Sequence, residues 1–392
     1  MLPLEGVKII SIEQAVAAPF ASRQLADFGA RVIKVERPDV GDFARGYDEK
    51  VRGMASWFVW LNRSKESLTL DLKHPCAKDI LHRLLQQADV FVQNLAPGAT
   101  DRMGLSNAEL RSRYPRLIVC NVSGYGSSGP YRDKKAYDLL IQCETGLVSI
   151  TGTPETPSKV GISAADIAAG MYAFSGILLA LRKREQTGCG SAMEISLFDS
   201  LGEWMSYAGY YTVFGGSPPS RNGASHASIA PYGPYSTGDG KEVNLGIQNE
   251  REWEKFCAIV LENPKLAADP RFNTNSRRSE NREALRAAIW AVFRNLTVEQ
   301  AVERLDRAGI ANARMNTMRD FWEHPQHTAR NRWREVDSPV GKLPALQPPI
   351  AIDGVTPRMD AVPALGEHTE SILRELNYLP EQIAKLRAER AI

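Results

Sequence analysis

The chain has 392 residues, 43% of them hydrophobic, and its 48 basic and 46 acidic side chains leave a formal charge of +2. That length exceeds what one hydrophobic core comfortably fills, so a large domain and a smaller one are expected. Near-neutrality excludes a global field for nucleic acid or an anionic membrane, and any anion site must therefore be local.

In chain order, residues 7–12 read as a buried strand, 17–28 as an Ala-rich helix stopped at Gly29, and 31–36 as a second strand. Residues 68–70 are strand-like, 75–88 are helical with Pro75 at the start, and 89–92 and 117–122 continue the alternation. Strands alternating with helices predict an α/β fold whose parallel sheet is covered on both faces. From about Gly202 to Ala311 the pattern changes to a Gly/Pro/Ser-rich loop (214–234), one strand (242–247) and charged helical segments, which predicts the smaller domain. Helical signals at 369–376 and 380–390 carry apolar residues that need a partner surface, so the tail is expected to pack back on the first domain.

No apolar run reaches about 18 residues, and residues 1–6 lack the pattern of a signal peptide, so a cytoplasmic protein with no membrane partner is expected. Five cysteines without a C-x-x-C pair, and His324 and His327 without companions, argue against a disulfide framework or a metal site.

Gly124-Tyr125-Gly126-Ser127-Ser128-Gly129 fits G-x-G-x-x-G, but a charged loop follows where a nucleotide fingerprint opens a helix. It reads as a flexible active-site loop. No G-x-S-x-G occurs, which leaves a serine hydrolase without its nucleophile elbow.

Asp166 starts a helical pattern in which Ile167, Met171, Phe174, Leu178 and Leu181 share a face. Ser163-Ala164-Ala165-Asp166 fits a capping box, in which the carboxylate only satisfies the first amides. The same position suits a nucleophile, because a helix N-terminus favours the ionised form. Spacing leaves both open.

Glu36-Arg37-Pro38, Asn62-Arg63-Ser64-Lys65, Leu70-Asp71-Leu72-Lys73, Asn94-Leu95-Ala96-Pro97-Gly98, Asp101-Arg102-Met103-Gly104, the glycine loop, Tyr137-Asp138, Asp166 and Gly366-Glu367-His368-Thr369 form a set. With that set the chain resembles the class III CoA-transferase (CaiB–BaiF) family nearly end to end. The resemblance implies a Rossmann-like large domain from both chain ends (1–200 and 326–392), a small α+β domain (201–325) and an interlocked homodimer. It places the catalytic aspartate at Asp166. It implies coenzyme A contacts at Arg37, Leu70, Lys73, Asn94, Leu95, Arg102, Met103, Lys135 and Tyr137. It implies no resident cofactor, since coenzyme A enters as a thioester substrate.

The chemistry agrees with the resemblance: Arg and Lys in strand-end loops offer charge-assisted bonds to the phosphates of coenzyme A, while Leu70, Leu95 and Met103 offer apolar surface. Asp166 is expected to attack an acyl-CoA thioester, and oxyanion donors are sought in residues 124–129 or at Gly215-Gly216. Racemases of the superfamily carry a histidine where this chain has Tyr137, which disfavours proton shuttling. A glutamine of some transferases is Val16 here, with Gln14 two residues earlier. Arg45, Tyr47, Arg52 and 57–60, with His226 and Tyr232, suggest the acyl pocket, and the arginines would suit a small dicarboxylate such as succinate. A methyl-branched C4–C5 acid is the other expected acceptor. An acyl-CoA racemase and a non-catalytic coenzyme A-binding protein are the alternatives.

Overall fold

A computed structural model, describing residues 1–392, gathers the alternating segments into one six-stranded parallel sheet. Its strands are β1 (Lys8–Ile12), β2 (Arg31–Glu36), β3 (Lys65–Thr69), β4 (Val90–Gln93), β5 (Ile118–Ser123) and β6 (Ala192–Ser196). They lie in the order β3-β2-β1-β4-β5-β6, every pair parallel. This doubly wound order reverses between β1 and β4, and the loops leaving their C-terminal ends diverge there, opening a crevice. The inner strands are nearly continuous apolar runs because both faces are covered; Ile9, Ile10, Val90, Phe91 and Val119 are fully buried. Sequence patterning does not reveal β6: Ala-Met-Glu-Ile-Ser is a half-exposed edge strand without a buried β-branched run.

The larger of two units comprises Met1–Thr145, Val160–Met205 and Gln326–Ile392; the smaller comprises Gly146–Lys159 and Ser206–Pro325. Residues 146–159, which sequence assigns to the 1–200 segment, group with the smaller unit. The tail helices Thr369–Glu375 and Pro380–Ala388 place Ile372, Leu373, Leu376, Ile383 and Leu386 in the same core as Ile10, Ile33 and Leu68. Arg31 ties the two ends of the chain electrostatically, meeting Glu66 and Glu375 at 2.7 Å each.

Two Ala-rich helices, Ala17–Asp27 and Ala164–Thr187, approach closely in the large unit. A Cβ at Gly170 would fall 2.7 Å from the Ala17 carbonyl oxygen and 2.9 Å from the Phe20 ring, so only glycine permits the contact. The buried face of the second helix is therefore built from Ala165, Ala168, Ala169, Ala173, Phe174 and Ile177. Met171, placed on the buried stripe by apolar spacing alone, is exposed. This 24-residue helix also has the length and composition of a membrane span, contrary to the expectation from sequence, but just over half of its apolar stretch is buried within the protein.

The smaller unit holds an antiparallel sheet of β7 (Tyr232–Ser236), β8 (Glu242–Gly246) and β9 (Ala311–Arg314). Its core is formed by Trp253, Phe256, Phe272, Ile289, Phe293 and Leu305. Only β8 is legible in the sequence. β7 begins inside the predicted 214–234 loop, and its Pro234 is tolerated because β7 is an edge strand. In the large unit, β10 (Trp333–Val336) and β11 (Leu343–Leu346) form a hairpin whose Val336 and Leu343 pack with Phe58 of the Ser56–Asn62 helix.

Candidate active site

The sheet topology brings most of the residues selected from sequence to one edge. Arg37 follows β2, Leu70 and Lys73 follow β3, and Asn94 and Leu95 follow β4, so all five sit past the C-terminal ends of parallel strands. Arg102 and Met103 lie at the end of the short Ala99–Arg102 helix, and Lys135 and Tyr137 come after the glycine loop that leaves β5. Arg37, Lys73, Arg102 and Lys135 are exposed. Leu95 and Met103 are partly buried against the core, with apolar surface remaining. Two positions differ from expectation. Leu70 is fully buried among core residues, so its side chain has no surface to offer a ligand. The Asn94 amide is engaged with the main chain of Gln14, accepting from its N–H and donating to its carbonyl at 2.8 Å each, and so ties the loop after β4 to the loop after β1.

The glycine loop is pinned where sequence suggests flexibility. Ser127 Oγ donates to Glu194 at 2.6 Å, the Phe198 amide donates to the Gly124 carbonyl, and the Gly126 amide donates to Ser123 Oγ. The last bond removes that amide from the candidate oxyanion donors. A Cβ at Gly124 would lie 2.3 Å from Ala136 Cβ. This close approach draws the Lys135–Asp138 segment against the end of β5.

Asp138 takes the capping position that sequence offers to Asp166. It starts the Asp138–Glu144 helix, and its Oδ1 accepts from the main-chain amides of Ala165 (2.8 Å) and Asp166 (3.4 Å). Its Oδ2 accepts from Gln142 Nε2 at 2.7 Å. Asp138 thus caps the Ala164–Thr187 helix from a different part of the chain. The capping box expected from Ser163 and Asp166 is not formed; Ser163 makes no side-chain cap. Asp166 is left with a carboxylate that serves no helix amide. Burial, and then the neighbouring charge of Asp138, push Asp166 up to about 7. The helix dipole alone would have acted in the opposite sense.

Tyr47 lies within electrostatic reach of Asp166, Asp42 and Tyr137; burial and these neighbours push its phenol up to about 12, so it stays protonated. Beneath it the strand-end loops are held by buried charges. Glu13 pairs with Lys65 at 2.7 Å, Lys34 with Asp42 at 2.7 Å, and Glu36 holds Arg45 through two bonds of 2.8 Å. Asp42 also accepts from the amide of Ala15, whose φ is +61°, and so fixes the loop after β1. Arg45 is thereby unavailable to a substrate carboxylate, contrary to the acyl-pocket expectation, and its guanidinium stacks 3.6 Å from the Phe58 ring centre. Arg52 donates to the carbonyls of Val340 and Lys342. Nothing in the sequence marks Asp138 as a cap, since the helix it serves begins far downstream.

An ionisable carboxylate at a helix start, beside a strand edge rich in unpaired cations, suits acyl transfer from a phosphorylated thiol. Residues 4–369 match the model for CoA-transferase family III. The chain belongs to CoA-transferase family III. It is similar to the succinyl-CoA:glutarate CoA-transferase of Mus musculus, with 32% identity over 98% of this chain and 89% of that protein. It is also similar to the succinyl-CoA–D-citramalate CoA-transferase of Chloroflexus aurantiacus, with 33% identity over 100% of this chain and 98% of the relative. A crystal structure of a CaiB/BaiF family protein from Brucella suis superposes with a TM-score of 0.83 and 33% identity, covering 96% of this chain and 99% of that one. The family III match and these end-to-end relatives make the protein a CoA-transferase.

Proposed function

We propose that this family III enzyme carries the acyl group on Asp166. Asp166 attacks the thioester carbonyl of the donor, the C–S bond breaks, and an aspartyl–acyl anhydride and CoA thiolate result. The thiolate then attacks the aspartyl carbonyl of the anhydride, releasing the donor acid as its carboxylate and leaving an aspartyl-CoA thioester. The acceptor carboxylate attacks that thioester, expelling CoA thiolate and forming an aspartyl–acceptor anhydride; the thiolate then attacks the acceptor acyl carbon, giving the new acyl-CoA and releasing the Asp166 carboxylate. No net proton, water or nucleotide is consumed. The observation that carries this reading is the displacement of Asp166 from helix capping by Asp138. With Asp166 pushed up to about 7, a large share is ionised near neutral pH and remains basic enough to be nucleophilic.

Arg37, Lys73, Arg102 and Lys135 would meet the phosphates of coenzyme A, and Leu95 and Met103 its apolar portions. The acceptor is a carboxylic acid. Relatives named for succinate, glutarate and citramalate support a dicarboxylate; the arginine argument for one is weakened because Arg45 is held by Glu36. A homodimer is part of the proposal. It is supported by the Ser206–Gly215 helix, whose Tyr207, Tyr210, Val213 and Phe214 are exposed to solvent in the single chain.

Incubation with acyl-CoA and hydroxylamine, followed by peptide mass spectrometry, tests the mechanism. A hydroxamate at Asp166 supports it. Exchange of the substrate α-proton without any adduct would replace it with isomerisation, in which Asp166 acts as a base.

A further inference from the structure

Five aromatic rings of the large unit form an unbroken run beside Asp166. Phe43 meets Tyr47 at 5.8 Å between ring centres, Tyr47 meets Trp57 at 6.3 Å, Trp57 meets Trp60 at 6.1 Å, and Trp60 meets Phe20 at 5.6 Å. Two of these rings, Tyr47 and Phe20, face the helix that carries the aspartate. Tyr47 lies in the field of Asp166. Phe20 lies on Gly170, one helical turn beyond Asp166, where a Cβ would come within 2.9 Å of the ring. Phe43, Tyr47 and Trp60 are 41%, 47% and 37% exposed, an unusual amount of aromatic surface to leave in water next to a reactive carboxylate.

Two arginines beside this run already have partners. Arg45 is held by Glu36, and Arg23, 5.5 Å from the Phe20 ring centre, is held by Asp27 at 2.7 Å. In the intervening turn, Lys50 and Arg52 are exposed, and Arg52 donates to two carbonyls. A second carboxylate lying on these rings would be desolvated against ring faces, whose quadrupole is negative, with Arg45 and Arg23 already engaged. An apolar body gains from the same surface by burial and ring contact.

We propose that the acyl group handled at Asp166 belongs to an apolar monocarboxylic acid, branched aliphatic or aromatic, lying on the Tyr47, Trp57 and Trp60 rings. This rests on Asp166 being the acyl carrier and narrows the acids it serves. It favours the methyl-branched acid over the dicarboxylate among the acceptors that sequence suggests.

The test uses the full-length enzyme and three donors, isovaleryl-CoA, 3-phenylpropionyl-CoA and succinyl-CoA, and reads the rate of hydroxamate formation at Asp166 for each. The apolar donors are expected to acylate Asp166 roughly tenfold faster than succinyl-CoA at equal subsaturating concentration. Trp57→Ala, and the milder Trp60→Leu, should each reduce that ratio several-fold. Faster adduct formation from succinyl-CoA overturns the proposal and leaves the carrier role standing, as does an unchanged ratio in both variants. No adduct from any of the three removes the carrier role itself.

Discussion

Two groups of carboxylates in the large unit, one buried and one half-buried, behave in opposite ways, although they sit in loops and helix starts of the same fold. Behind the strand ends, burial would raise Glu13 and Glu36, but Lys65 and Lys34 outweigh it at Glu13, and Arg45 and Lys34 outweigh it at Glu36. Glu13 is lowered and Glu36 falls to about 2. At the start of the long helix, burial raises Asp166 and its charged neighbour, Asp138, has the same sign, so the shift runs up to about 7. The contrast shows that burial alone does not set reactivity here; the sign of the partner does. Matched charges hold the loops in place, and a mismatched pair keeps one carboxylate poised between its two protonation states.

The largest effect should come from the mismatched side. Asp166→Ala is expected to lower transfer by roughly three orders of magnitude or more, as for loss of a covalent nucleophile, with coenzyme A binding by calorimetry retained. Unaltered turnover would remove Asp166 from the mechanism and erase the functional half of the contrast.

On the matched side, Lys65→Met leaves Glu13 buried with part of its compensation gone, and should cost about 3–5 kcal/mol in urea unfolding. Adding Glu13→Gln should recover much of that loss, because the uncompensated charge disappears with it.

The two sites also predict opposite dependences of stability on pH. Glu36 has a folded pKa below its unfolded one, so its contribution is present above the unfolded value and is lost as pH falls toward about 2. Asp166 has a folded pKa above its unfolded one. Its contribution is present below the unfolded value and is lost as pH rises through about 7. Asp166→Asn should therefore gain stability relative to the native protein between pH 5 and 8, by up to about 3 kcal/mol. Thermal melts of both proteins across that range measure the difference, and parallel curves would contradict the raised value.

The finest distinction is between the charge of Asp138 and its cap. Asp138→Asn keeps an oxygen for the amides of Ala165 and Asp166, so stability should change by less than about 1 kcal/mol. Removing the charge should lower Asp166 and move the acidic limb of the kcat/KM profile below pH 7. Asp138→Ala removes the cap as well and should cost about 1 kcal/mol more. If the limb stays in place in Asp138→Asn, burial alone sets the Asp166 value.

Much of the fold could be read in advance because it rests on local pattern. Buried runs such as Ile9-Ile10 and Val90-Phe91-Val92 announce strands covered on both faces, and the intervening amphipathic segments announce the helices between them. The missed strands lack that pattern: β6 is a half-exposed edge, and β7 holds Pro234. Met171 lies in solvent rather than on the buried stripe because apolar spacing does not reveal a helix that packs through alanines and Gly170.

The sequence by itself determined the parallel α/β alternation, the basic residues at the strand ends and the position of Asp166 at a helix start, since each depends on neighbours within a few residues. Only the tertiary structure decided which charges meet. It brought Asp138 to the Asp166 helix, bound Arg45 to Glu36, buried Leu70 and turned Asn94 onto Gln14. Such contacts join distant segments through the order of strands in the sheet, and ionic and hydrogen-bonding partners act through distance in space, which chain spacing does not encode.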